Sequence, residues 1–180
     1  VVSLEEKTPD VAKKVEIFRE RYVGKFCDFI VTVHPFGLPG EIPGACSNAA
    51  WGARQSTTLL RDKGNRLDPE STIVTKCDTD TIFHPRHFEA MEMEFEKLSP
   101  DDRVGSMFQS VLCYNLKLDE RWFFTRVTGI LRTFFMMGFL IPMDINTMSI
   151  YSMSLALLRR ARYWHPGYQM EDIIQNLVLM

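Results

Sequence analysis

Short β-branched runs alternate with helix-period apolar stripes through the first half of this chain. No other feature narrows the fold as far, because strands separated by helices return in the same direction and pair in parallel. Residues 1–4 read as a short buried strand. Thr8, Pro9 and Asp10 then signal a helix, with Thr8 as its cap and Pro9 in its first turn. Val11, Val15, Phe18 and Tyr22 give that helix one apolar face. Residues 29–33 form the next strand, followed by a loop rich in glycine and proline from 34 to 44. A helix over 47–60, a polar loop over 63–70 and a β-branched strand over 71–76 complete the pattern. The expected class is α/β, with a mainly parallel central sheet flanked by helices.

The second half is less regular. Pro85 opens a helix carried by Phe88, Met91, Phe95 and Leu98. A strand over 104–112, a long apolar helix or helix pair over 118–140, a strand over 148–153 and a helix over 155–163 follow. Asp101 and Asp102 fall in a loop after Pro100 on this reading.

At 180 residues and 46% apolar content the chain has room for one domain with a real core. A net charge of -2 gives no electrostatic ground for a nucleic-acid partner. Cys27, Cys46, Cys77 and Cys113 are scattered and form no paired motif, so free and mostly buried thiols are expected rather than zinc or disulfides. No run of 18 uncharged apolar residues is present, and Arg132 interrupts the nearest candidate, residues 129–142. Residues 122–140 are still too apolar for a free surface, which predicts a helix meeting a membrane or buried in the core. The chain opens in an apolar run and closes in an apparently unfinished helix, so a piece of a longer protein is expected.

Chemistry concentrates in two places. The strand over 71–76 runs into Asp78, Thr79 and Asp80. Strand carboxyl ends face the ligand crevice of open α/β sheets, and two carboxylates there suit a hard divalent cation that neutralises diphosphate oxygens. The plainer alternative is a solvated turn with Asp at capping positions. The second place is the stretch from Trp164 to Asp172, with Tyr168, Glu171 and Asp172 in one loop. Aromatic faces pack on sugar rings, and a positioned carboxylate removes a proton from an attacking hydroxyl. The alternative is that Glu171 and Asp172 simply open the last helix.

In order, these segments resemble the family-two inverting glycosyltransferases with a GT-A fold, most closely their membrane-associated, cellulose-synthase-like branch. Gly44, Ala45, Cys46, Ser47 and Asn48 at a helix start resemble that family's glycine–lysine–asparagine segment. Asp78 and Asp80 resemble its metal motif, and Glu171 and Asp172 resemble the acidic pair that supplies its base. The resemblance implies that residues 1–5 are the second sheet strand, the first lying upstream. It implies a nucleotide-sugar and metal-binding half over 1–80 and an acceptor-binding half over 81–180. Asp78 and Asp80 would hold Mn2+ or Mg2+. Glu5 (or Glu6) and Asn48 would sit on the donor side. Trp164 and Tyr168 would line a site for a carbohydrate or lipid-linked acceptor, with Asp172 as base and Glu171 orienting. The longer protein would be membrane-associated with its active site facing the cytoplasm. Ala45 departs from the family's lysine and removes a positive charge from the donor side. Two other readings are a haloacid-dehalogenase-type phosphatase, with Asp78 as nucleophile and Asp80 as acid/base, and a non-catalytic domain on the same fold.

Overall fold

Val2–Glu5 (β1) and Val31–His34 (β2) pair in parallel, Val2 opposite Val31 and Glu5 opposite His34. The crossover between them carries helix α1, Val11–Tyr22. The structure is a computed structural model describing residues 1–64, 67–109, 111–113, 118–143, 145 and 150–168.

Helix α2, Ala45–Asp62, follows β2 and packs back on both strands of that pair. Its approach to β1 is close because Gly52 faces Ser3: a Cβ at position 52 would lie 2.9 Å from the Ser3 Cβ. The strand Ile73–Lys76 (β3) comes next, then α3 over His87–Lys97 and α4 over Pro100–Val104. The short strand β4, Met107–Gln109, and the strand β5, Tyr151–Ser154, close a second sheet in the order β3-β5-β4. β5 lies between two neighbours and is buried along its whole length. It leads directly into α6, Leu155–Arg160, where the Ser154 hydroxyl accepts from the Leu157 amide as an N-cap.

The two sheets are tied by a shared core. Cys46 and Ala50 on α2 pack with Tyr151 and Met153 of β5, Leu155, Leu157 and Leu158 of α6, and Trp164. α2 therefore lies across both sheets.

The class is α/β as expected, but a mainly parallel central sheet is not what the described residues form. One parallel pair stands beside a three-stranded sheet in which β5 runs antiparallel to both neighbours. β5 enters beside Lys76 and leaves beside Ile73, so it returns against the direction of the strands flanking it.

Local expectations need four corrections. Thr8 does not cap α1: the helix begins at Val11 after Asp10, which takes a left-handed φ of 53° and makes no side-chain cap bond. Val104, expected to start a strand, instead ends the helix over residues 100–104, because Ser99 caps the Asp102 amide and Pro100 occupies the first turn. That places Asp101 and Asp102 on a helix turn, not in a loop. Of the four thiols, Cys46 is buried while Cys27, Cys77 and Cys113 are exposed.

Residues Phe123–Phe135 form helix α5, extended by a π-helical turn over Met136–Leu140. Phe123–Leu140 has a mean hydropathy of 1.2, and it is long and apolar enough to cross a membrane by length and composition. Only 11% of that window is buried in the protein, so the alternative of a buried core helix does not hold.

Candidate functional site

The Asp-x-Asp turn leaves the carboxyl end of β3, where the Asp78 carbonyl accepts from the Thr81 amide at 3.1 Å. Asp78 and Asp80 are both exposed. Beside them Lys76, the last residue of β3, is buried at its ammonium end, 3.7 Å from the Asp78 carboxylate. Strand alternation accounts for this placement, since residues 76 and 78 fall on one side of an extended chain. Partial desolvation, and then the Asp78 charge, push the Cys77 thiol up from its ordinary value.

Asp78 and Asp80 put two exposed carboxylates on one turn. Among the described residues no third His, Cys, Asp or Glu converges on them. Mg2+ is commonly held by one or two carboxylates with substrate phosphates completing its shell, so the pair fits a Mg2+ or Mn2+ ion that arrives with a diphosphate. Neither His84 nor His87 completes it with a third ligand; the His87 ring lies tilted against Phe83 at 4.7 Å.

The carboxyl ends of β1 and β2 make a second polar cluster. His34 Nε2 lies 2.7 Å from the Glu41 carboxylate, and the His34 ring leans on Trp51. Glu6 accepts from the Phe36 amide at 2.8 Å. Glu5, Glu6, His34, Phe36 and Glu41 line one shallow cavity. Glu5, expected on the donor side, is the last residue of β1 and lines this cavity. Asn48 does not line that cavity. Its amide donates to the Ser3 carbonyl at 2.9 Å and its oxygen accepts from the Ser3 hydroxyl at 2.6 Å. In the structure Asn48 fastens α2 to β1, a role the motif alone does not reveal.

The loop after α6 joins the two clusters. Tyr151 stands opposite Lys76 in the β3–β5 ladder, and its hydroxyl accepts a short hydrogen bond from the Trp164 indole. The His165 carbonyl accepts from the Cys46 thiol at 3.0 Å, in the first turn of α2. The Pro166 carbonyl then accepts from Ile42 at 2.8 Å, one residue beyond Glu41. A continuous set of contacts therefore runs from Asp78 through Lys76, Tyr151, Trp164 and His165 to Glu41 and His34. The Asp-x-Asp turn follows the carboxyl end of β3, and the polar cluster lies at the carboxyl ends of β1 and β2.

Within that arrangement the expectation for Trp164 is corrected. The indole is 3% exposed, packed in the core and hydrogen-bonded to Tyr151, so it cannot offer a face to a sugar. Tyr168 is 50% exposed, its ring 4.8 Å from that of His165, and remains an open aromatic surface. Glu171 and Asp172 lie outside the described residues. Lys76, His34, Glu41 and Tyr151 were not found from sequence; only the strand alternation placing Lys76 on the side of Asp78 carried a signal.

No protein-family model matches the chain, and neither curated proteins nor solved structures give a match.

Proposed function

We propose that this chain is the core of a metal-dependent transferase that moves a sugar from a nucleotide-diphosphate sugar to an acceptor hydroxyl with inversion, as its resemblance to family-two glycosyltransferases implies. One observation carries the reading: the Asp-x-Asp turn and the β1–β2 polar cluster each follow the carboxyl end of a strand, and the loop after α6 bonds both to β5 and to the segment beside Glu41. Ligand crevices of α/β sheets form there.

Asp78 and Asp80 would hold Mn2+ or Mg2+, which when bound supplies positive charge to the leaving diphosphate. Lys76 adds a fixed cation beside Asp78 and stands in for the charge missing at Ala45. Glu5 and the His34–Glu41 pair offer acceptors and donors to the nucleoside. Tyr168 presents its ring to the acceptor sugar. Asp172, four residues on, takes the acceptor proton, and Glu171 orients it. The protein is held at a membrane with its site facing the cytoplasm, and Phe123–Leu140 is the segment that supports the association.

The test is transfer from a panel of nucleotide sugars with the anomeric configuration of the product read by NMR. Inverted product that disappears in Asp172→Asn, by about 100- to 10,000-fold in turnover with little change in donor affinity, is expected. Near-normal turnover in that variant refutes Asp172 as base. Phosphate release without sugar transfer would favour the phosphatase reading.

A further inference from the structure

Helix α5 is amphipathic the wrong way round for a globular protein. Within Phe123–Leu140, the residues that are not exposed are Gly129, Thr133, Met136 and Leu140. Their spacing marks one stripe of a helix, the stripe facing the protein. A core-facing helix normally turns its largest apolar residues inward. Here they turn outward: Phe124 is 78%, Leu131 61% and Phe134 69% exposed.

At about 100° per residue, Phe123, Phe124, Val127, Ile130, Leu131, Phe134, Phe135 and Met137 fill an outward arc of roughly 160°. Arg126 and Arg132 fall on opposite sides, each between that arc and the protein-facing stripe. No Asp or Glu occurs from Arg121 to Met143, so every charge on the segment is positive. Trp122, 85% exposed, stands at the helix start. The segment is roughly 27 Å long at 1.5 Å per residue, close to the thickness of a bilayer's hydrocarbon core, so the placement of its arginines and not its length separates a flat helix from a crossing one.

We propose that α5 and its π-helical extension lie in the plane of an anionic lipid leaflet, apolar arc down, with Arg126 and Arg132 at phosphate level on either side. A helix crossing the bilayer would place Arg132, midway along the segment, among the acyl chains, and would draw the protein packed on Met136 and Leu140 in with it. An in-plane helix leaves both arginines at the headgroups, where their long side chains reach phosphate oxygens. This deepens the membrane association proposed above and does not depend on sugar transfer.

The test uses the 180-residue chain with vesicles of phosphatidylcholine alone and of three parts phosphatidylcholine to one part phosphatidylserine. Co-sedimentation with the mixed vesicles is expected, weakened about fivefold by Arg126→Gln and about fivefold again by adding Arg132→Gln. Phe134→Asp with Phe135→Asp abolishes it, while circular dichroism stays unchanged for all variants. Trp introduced as Phe123→Trp or Phe134→Trp is quenched equally by brominated lipid if the helix lies flat. Graded quenching along the helix overturns the proposal in favour of a crossing helix. Equal binding to neutral vesicles overturns the role of the arginines. A chain that ignores both vesicles but dimerises through this face overturns the proposal in favour of a second copy. A longer protein that stays at the membrane while this chain ignores vesicles keeps the association and refutes the in-plane helix.

Discussion

Replacing Gly52 by alanine sets two effects against each other. Alanine is the better helix former in the interior of α2 by about 1 kcal/mol. Its Cβ, however, would stand 2.9 Å from the Ser3 Cβ and 3.1 Å from the Ser3 hydroxyl oxygen, with the Thr32 hydroxyl at 3.6 Å. Ser3 is part of the β1 backbone and cannot simply rotate away. Its hydroxyl also donates to Asn48 and accepts from Thr32 at 2.9 Å. Overpacking of this kind costs roughly 1–3 kcal/mol, and losing two hydrogen bonds costs about 1 kcal/mol each. The net expectation for Gly52→Ala is a loss of about 2–4 kcal/mol, or roughly 4–16 °C in Tm for a chain of this size. Chemical denaturation monitored by circular dichroism measures it. In a Ser3→Gly background, which removes the opposing side chain, the same substitution becomes far less harmful because the two sites touch. A Gly52→Ala protein more stable than the parent would show that α2 does not press on β1 as described, and with it the seating of the Glu5 end of β1 would fail.

Two further substitutions separate structure from binding. Trp164→Phe removes the indole hydrogen bond to the buried Tyr151 hydroxyl and is expected to cost about 1–3 kcal/mol of stability, while Tyr168→Ala leaves stability alone and raises the acceptor KM. Denaturation and steady-state kinetics on both variants distinguish them; a raised acceptor KM in Trp164→Phe at unchanged stability would contradict the core assignment. Lys76→Met removes the cation beside Asp78, and the donor KM is expected to rise about 10- to 100-fold with the fold intact. An unchanged donor KM would remove Lys76 from the site.

What sequence disclosed and what it hid divide along a physical line. β3 and its Asp-x-Asp turn were legible because a β-branched run and a carboxylate pair are local signals. α5 was legible because so apolar a segment stands out wherever it lies, yet its outward-facing arc needed the structure. The start of α1 was misread since Thr8 looks like a cap, whereas two successive turns, Glu5 to Thr8 and Thr8 to Val11, use up the backbone first. Residues 100–104 carried a helix signal, Ser99 before Pro100 with two aspartates, that the neighbouring apolar run obscured. The antiparallel placement of β5 beside β3 pairs residues far apart in sequence, and no local pattern encodes its direction. Trp164 reads the same in sequence whether it lines a cleft or fills a core; only its bond to Tyr151 decides. Asn48 and Glu41 likewise take their roles from partners, Ser3 and His34, that composition does not name.

The most direct test of sugar transfer at these strand ends is calorimetric titration of Mn2+ into the protein with a nucleotide-diphosphate sugar present, comparing the parent with Asp80→Ala. Sugar-nucleotide-dependent Mn2+ binding that Asp80→Ala abolishes, together with transfer activity, is the expected result. Undiminished Mn2+ binding and transfer in Asp80→Ala would contradict the assignment of the Asp78–Asp80 turn as the metal-bearing edge of the site.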